Sequence, residues 1–369
     1  MLIGIDASHA VKEQRTGVEE VCWQVIENLK KEIPSDVRVV LYSHKIPTDK
    51  LVVLPTNWEW KIISWPFKKL WTQGALAFEL IKNPPDIFFS PGQILPWYVS
   101  RKTAVFLHDS AFLFFKSAYN FWGRQYLCLM NWWIVKRASL IITSTEFNRS
   151  ELVRYYGSSV EKKIQLVPLA YDKEKYNEST IPLSNKELLE KFNISKSFAL
   201  FVGRLEGKKN VRFLIQAFNR AREKKDFQLV LSGRPGCGFI DINREIELSP
   251  FKKDILLLGW VEAKDLPCLV RSATVLVFPS FYEGFGLPIL EAMAVGVPVL
   301  ASDIPALREV GDEAVFFVEP KNVASISSGL EYFFSNPENL MEMVKKGKER
   351  VLGFSWEKTA SKIAKMLLF

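Results

Sequence analysis

Histidine and cysteine are scarce in this chain: its 369 residues include three histidines and four cysteines. Cys22, Cys128, Cys237 and Cys268 are widely scattered with no C-x-x-C spacing, which points to buried free thiols and away from a disulfide framework or a zinc site. Three histidines are also too few for a His/Cys metal cluster. No apolar run approaches the about 20 residues that span a bilayer, and the mean hydropathy of +0.03 argues against an integral membrane protein. LIGIDAS at the start is preceded by no basic leader and cleavage site, so a cytoplasmic location is the default expectation. A dinucleotide fingerprint is missing too. The best candidate, GRPGCG at residues 233–238, has the wrong glycine spacing and places Pro235 where the loop should enter a helix. No internal repeat or low-complexity tract is visible.

What is present is an alternation of strand and helix patterns. LIGID, VRVVLYS, DIFFS, TAVFLHD, LIITST and KIQLVP read as strands in the first half, and SFALFVG, FQLVLSG, DILLLGW, TVLVFPS and VPVLAS in the second. These are short continuous apolar runs, the pattern of parallel strands covered on both faces. Helices are predicted between them at 17–31, 119–138, 145–156, 209–224 and 287–295. The fold class is therefore α/β, with two doubly wound Rossmann-like domains. The first spans residues 1–170 and the second 198–354. The polar stretch 171–197 between them reads as a linker with room for a connector helix.

The most informative stretch is FPSFYEGFGLPILEAMAVGVPVL, residues 278–300, where Glu283 and Glu291 stand eight apart across a glycine-rich turn. VLVFPS reads as a buried strand and Glu283-Gly284-Phe285-Gly286-Leu287 as a tight loop entering a helix, with Pro288 near the first helical position. A helix opening there offers free N–H groups and a positive dipole end to a phosphate. Glu291, one turn further on, can accept hydrogen bonds from the vicinal hydroxyls of a ribose, and Glu283 can reach hydroxyls beyond the phosphates. Upstream, Gly203 and Arg204 end a strand, and Lys209 is expected to open the next helix. Two cations at a strand terminus suit a diphosphate and the charge that builds on it as a bond to it breaks. Each has a structural reading too: surface cations for Arg204 and Lys209, and a helix N-terminal acid for the glutamates.

The block resembles the E-x7-E motif of retaining glycosyltransferases of the two-domain GT-B architecture, family 4 in particular. The resemblance extends along most of the chain: FVGRLEGKKNVRFLIQAF (201–218) is similar to the family's G-R-L-x-x-x-K-N element, and IGIDASHAVKEQRTGVEEV, FLHDSAF, IITSTEFNRSELVRYYG and VLASDIPALREVGDEAVFFVEP continue it. It implies domains facing a central cleft, an acceptor side in the first and a nucleotide-sugar donor side in the second, with 355–369 crossing back onto the first. It implies catalytic roles for His108, Glu283, Arg204 and Lys209, and donor contacts from Gly17, Gly203, Arg204, Lys209, Glu283, Gly284, Phe285, Gly286, Leu287 and Glu291. His108, taken as the only histidine at a predicted carboxyl strand end, would lie near the transferred sugar, and Asp109 beside it would serve an acceptor hydroxyl. For Thr16, Gly17 and Asp109 an ordinary turn or helix cap is the competing reading. Retention would follow front-face attack, with the leaving phosphate taking the acceptor proton. No D-x-D occurs, so neither a divalent metal nor another cofactor is expected beyond the nucleotide sugar. The combination of motifs is most similar to the mannosyltransferase-like branch that builds bacterial surface polysaccharides, which implies GDP-mannose as donor and a saccharide or lipid-linked acceptor.

The first 170 residues hold 21 Lys/Arg against 15 Asp/Glu, and nine of the eleven tryptophans lie at or before Trp133. Aromatic and basic residues interleave in WPFKKLW (65–71) and in residues 112–137. Such segments fit either an anionic membrane interface or a packed helix whose cations reach water. No nucleic-acid motif accompanies the charge, so nucleic acid is not expected as a partner. Two other functions stay open: a non-catalytic nucleotide-sugar-binding module, and an NAD-dependent oxidoreductase.

Overall fold

The computed structural model describes residues 1–67, 70–115, 119–183, 185–335 and 340–368. The chain divides into two compact units. One comprises Met1–Leu113, Phe121–Leu169 and Ser355–Phe369; the other comprises Phe114–Asn120 and Ala170–Phe354.

The first unit is built on seven strands: β1 (Leu2–Asp6), β2 (Arg38–Ser43), β3 (Trp58–Ile62), β4 (Ile87–Ser90), β5 (Lys102–Phe106), β6 (Leu140–Thr143) and β7 (Ile164–Leu166). Their order is β3-β2-β1-β4-β5-β6-β7, and every pair is parallel. Ile3 stands opposite both Val39 and Ile87, so β1 is central in the sheet, and doubly wound connections put helices on both of its faces. This is why Ile3, Ile5, Val39, Leu41, Phe88 and Phe89 are all fully buried, and why the strands read as unbroken apolar runs. Helix Gly17–Glu32 presents Val21, Cys22, Val25, Ile26 and Leu29 inward. Helix Trp356–Leu368 packs against it, and Thr359 donates to the Pro168 carbonyl at 2.7 Å.

The second unit has six strands: β8 (Phe198–Val202), β9 (Gln228–Ser232), β10 (Ile255–Gly259), β11 (Val275–Phe278), β12 (Val299–Ser302) and β13 (Val315–Val318). Their order is β10-β9-β8-β11-β12-β13, again all parallel. Both sheets are thus doubly wound. In each, the direction of winding reverses once, between β1 and β4 in the first and between β8 and β11 in the second. Open parallel sheets hold ligands at the carboxyl ends of the strands flanking such a reversal.

Two strands went unforeseen, β3 and β13. WEWKI alternates and is polar on one side, and VFFV is a sheet edge whose Phe316 and Phe317 are only half-buried, so neither is the fully buried parallel strand that an apolar run signals. The polar stretch 171–197 clusters with the second unit and contains helix Lys186–Lys191, capped by the Asn185 side chain and tied to Asp265 through Lys191 at 2.8 Å. The expected helix start at Lys209 also shifts. Lys209 ends a short 3-10 turn, Gly207–Lys209, and the α-helix runs over Val211–Arg222. Asn210 between them is left-handed at φ 58°, and that break re-aims the chain.

Candidate active site

In the second unit the chemistry-bearing residues gather at the carboxyl ends of β8 and β11, the two strands at the reversal. Lys209 donates to Glu283 Oε1 at 2.5 Å, and the ammonium also lies 5.1 Å from the centre of the Phe278 ring. The two side chains are only 15% and 9% exposed, so water screens the pair weakly. Removing one member of such a pair leaves a poorly solvated charge, which typically costs about 3–5 kcal/mol. A preorganised ammonium in this setting is suited to an anionic ligand, whose oxygens would join Glu283 around it.

Asn210 holds the pair together from behind, a role the sequence reading did not assign. Its amide donates to the Pro279 carbonyl at 3.0 Å and the Pro320 carbonyl at 2.7 Å, and Phe281 N–H reaches the Lys208 carbonyl at 2.9 Å. The loop after β8 is thereby bonded to the loop after β11. The signal was the Lys-Asn dipeptide following G-R-L, where an asparagine tolerates a left-handed backbone better than most residues.

Gly286 caps helix Leu287–Ala294 at φ 102°, and a Cβ there would meet Leu307 Cδ2 at 2.8 Å. Glycine is therefore required by both conformation and space. The helix follows with Pro288 in its first turn and Glu291, half-buried, in its second. Phe285 is 5% exposed and packs edge-on to Phe354, so its side chain serves the core.

Arg204 follows Gly203 and is exposed. Its aliphatic stem lies on Gly236, where a Cβ would come within 2.8 Å of Arg204 Cγ and Cδ. At Gly233 a side chain would run into the Gly203 carbonyl at 1.8 Å. GRPGCG, which fails as a dinucleotide fingerprint, is thus the floor on which the Arg204 loop rests, pinned further by Leu205 N–H to Arg234 and Gly236 N–H to Leu205, both at 2.9 Å.

In the first unit, the carboxyl ends of β1, β4 and β5 bring other residues together. His108 is buried beneath the loop after β4: its Nε2 lies 2.7 Å from the Pro91 carbonyl, and its ring stacks on Phe106 at 4.7 Å. A carbonyl only accepts, so Nε2 carries the proton and Nδ1 keeps a lone pair. Burial pulls the imidazole pKa down to about 4, against smaller opposing contributions from the Pro91 bond and Asp109. The ring is accordingly neutral near pH 7, an acceptor for a hydroxyl and not a cation. Gln93 straps the same loop, accepting from His108 N–H at 3.3 Å and donating to the Asp109 carbonyl at 2.7 Å.

His108 is not alone at a strand end, contrary to expectation. His44 directly follows β2, and His9 lies three residues past β1 with its ring against Gly92, where a Cβ would be 2.6 Å away. Asp6, at the end of β1, is 3% exposed, and burial raises its pKa, with His9 opposing. The clue was Pro91-Gly92 directly after β4 at the reversal, to which the sequence reading assigned no role.

Two other residues take the capping roles considered for them. Glu19 accepts from the Thr16 amide at 3.2 Å and from its hydroxyl, forming a capping box at helix Gly17–Glu32. Asp109 Oδ1 accepts from Ala111 N–H at 3.1 Å, at the start of helix Ala111–Phe114. Gly17 is exposed, with no atom within 4 Å of where a Cβ would stand. The four cysteines are free, but only Cys22 and Cys268 are buried; Cys237 is exposed in the GRPGCG loop. Among the described residues no helix is long and apolar enough to cross a membrane.

Two doubly wound Rossmann-like domains, the second with a glycine-capped helix and a Lys–Glu pair at its sheet reversal, define a two-domain α/β protein of the GT-B class. Residues 185–350 match the family described as glycosyl transferases group 1. Among curated relatives, it is 34% identical over 223 residues to O-antigen chain mannosyltransferase B of Escherichia coli, a match covering 60% of this chain and 58% of that protein. The chain spans between 46% and 58% of the length of three curated relatives it matches. Among solved structures, sucrose-phosphate synthase of Thermosynechococcus elongatus superposes with a TM-score of 0.77 at 19% identity, over 99% of this chain and 98% of that one. Anabaena HepE in complex with UDP and glucose gives 0.75 at 15% identity, over 100% and 99%. At these identities the likeness is one of fold.

Proposed function

We propose that this protein is a retaining glycosyltransferase that moves a hexose from a nucleotide diphosphate sugar to a saccharide or lipid-linked saccharide acceptor, in the cytoplasm, during surface polysaccharide synthesis. The observation that carries this reading is the Lys209–Glu283 pair at the reversal between β8 and β11, beside the Gly286-capped helix. In this reading Lys209, Arg204 and the helix N-terminus hold the diphosphate, Glu291 takes the ribose hydroxyls, and Glu283 reaches the sugar while keeping Lys209 in place. The bond between the sugar's anomeric carbon and the phosphate oxygen breaks as the acceptor oxygen attacks from the same face, and the acceptor's proton passes to the departing phosphate. In the first unit, neutral His108 offers Nδ1 to a hydroxyl, and Gly17 offers its exposed backbone to a ligand.

GDP-mannose is the donor we favour, supported by the likeness to a protein named as a mannosyltransferase. The reaction as written needs no divalent metal, since fixed cations and a helix terminus answer the phosphate charge. Incubating the purified chain with GDP-mannose, UDP-glucose, UDP-N-acetylglucosamine and ADP-glucose, each with and without chelator, tests the reading. Selective cleavage of GDP-mannose, unchanged by chelator, is the expected result; binding without turnover of any donor would leave a nucleotide-sugar-binding module.

A further inference from the structure

Helix Phe121–Arg137 is apolar on two faces, which a helix packed only on its own domain has no reason to be. Met130, Asn131 and Ile134 face inward. The exposed stripe runs Trp122, Gln125, Leu129, Trp132, Lys136, at helical spacing. Trp122 is 80% exposed and Trp132 47%. Helix Val211–Arg222 shows the ordinary arrangement, with Arg212, Gln216 and Arg220 on its outer side.

The helix packs on neighbouring segments of the same unit that carry exposed aromatic residues of their own. Trp133 packs edge-on to Trp97 at 5.4 Å and donates to the Pro96 carbonyl at 3.0 Å. Trp97 N–H bonds to Gln73, whose side chain also reaches the Leu95 carbonyl and Met130 Sδ. Gly74 beside it lies under the Trp65 ring, which touches Phe67 edge-on at 5.4 Å. Exposed Phe67, Trp97 and Tyr98 thus lie in segments linked to the helix that carries exposed Trp122, Leu129 and Trp132. Lys68 and Lys69 of the WPFKKLW segment, and residues 116–118, lie outside the described residues.

Along this helix and its flanks the charge has one sign. Residues 110–145 contain four Lys/Arg and no Asp or Glu. Lys136 lies 4.9 Å from the Trp132 ring centre and Arg137 5.5 Å from that of Trp133, so cations and indoles are interleaved at the surface itself. Indoles seat at headgroup depth and ammonium or guanidinium groups meet anionic headgroups there. We propose that this aromatic–basic surface is a docking face for an anionic lipid bilayer, held at the interface by Trp122 and Trp132 with Lys136 and Arg137 on the headgroups.

The test is sedimentation of the full chain with vesicles of phosphatidylcholine alone and of phosphatidylcholine mixed with phosphatidylglycerol, across a salt series, with light scattering to give its oligomeric state. The expected result is binding to the anionic vesicles that falls with salt. Trp122→Ala/Trp132→Ala should weaken it at least tenfold, and Lys136→Glu/Arg137→Glu by about 30-fold or more, because two cations no longer meet the anionic headgroups. Unchanged helicity and melting in these variants would show that they fold. No binding at low salt, equal binding by the tryptophan variant, or a dimer that the same substitutions dissociate would each overturn the proposal. Donor cleavage does not enter this test, so the docking face and the proposed reaction stand or fall separately.

Discussion

The two sheet reversals share a topology but are equipped for opposite kinds of ligand group. At β8 and β11 the second unit places an ammonium, a guanidinium and a helix N-terminus, with Glu283 fixing the ammonium. At β1, β4 and β5 the first unit places a neutral imidazole, a carboxyl pushed toward its protonated form, the Pro91 carbonyl and the Gln93 side-chain strap. The difference teaches that one fold supplies two addresses, and that burial sets their polarity. Little water reaches Lys209, whose ammonium is paired with the Glu283 carboxylate. Among the described residues no carboxylate bonds to the His108 ring, so it gives up its proton instead.

Breaking the charged address should have the largest effect. Lys209→Met is expected to lower donor turnover by roughly 100- to 1000-fold, and also to destabilise the fold by leaving Glu283 unanswered. Combining it with Glu283→Gln should restore most of the melting temperature while leaving turnover lost. Recovery of turnover in the double variant would show the pair to be structural only. Gly286→Ala comes next: the strained φ and the contact with Leu307 should cost at least about 1–3 kcal/mol in denaturant melts and weaken nucleotide binding as the helix start shifts.

The neutral address is tested by pH. His108 binds its proton near pH 6.5 when unfolded but only near pH 4 when folded, so the unfolded state holds more protons between those values. Stability should fall as pH falls through that window, by up to about 3 kcal/mol from this group. Asp6, shifted upward, works with the opposite sign, so the informative quantity is the wild-type slope minus that of His108→Gln. Equal slopes would mean that His108 is not held neutral.

Smaller effects sharpen the contrast further. Glu291→Gln should weaken nucleotide binding about tenfold by calorimetry, the loss of a charge-assisted bond to the ribose. Gly17→Ala should leave melting within about 0.5 kcal/mol, since the added methyl enters open space. A drop in donor use with melting unchanged would mark Gly17 as a ligand-side residue; no change in either would leave it a helix start.

The same contrast governs what the sequence made legible. The second unit's site could be read because its residues are close in sequence and chemically unusual there: a positive-φ glycine, a proline in the first turn and two glutamates on one loop and helix. The first unit's site was mostly missed because its parts meet only through the sheet order. His9, Pro91 and His108 come from loops after β1, β4 and β5, and nothing local in the sequence brings them together. The fold was readable wherever strands are buried on both faces, and not at β3 and β13. Exposure, too, is a three-dimensional property: the tryptophans of residues 112–137 fitted a core or an interface equally until Trp122 and Trp132 proved to lie outside.

The measurement that bears most directly on the account is calorimetric titration of GDP and GDP-mannose into the wild-type chain and the Lys209→Met/Glu283→Gln variant. The account predicts saturable binding by the wild type and a loss of at least about 100-fold in a variant that melts at nearly the same temperature. Equal affinity in the two proteins would place the nucleotide elsewhere and contradict the assignment of the second sheet's reversal as the donor site.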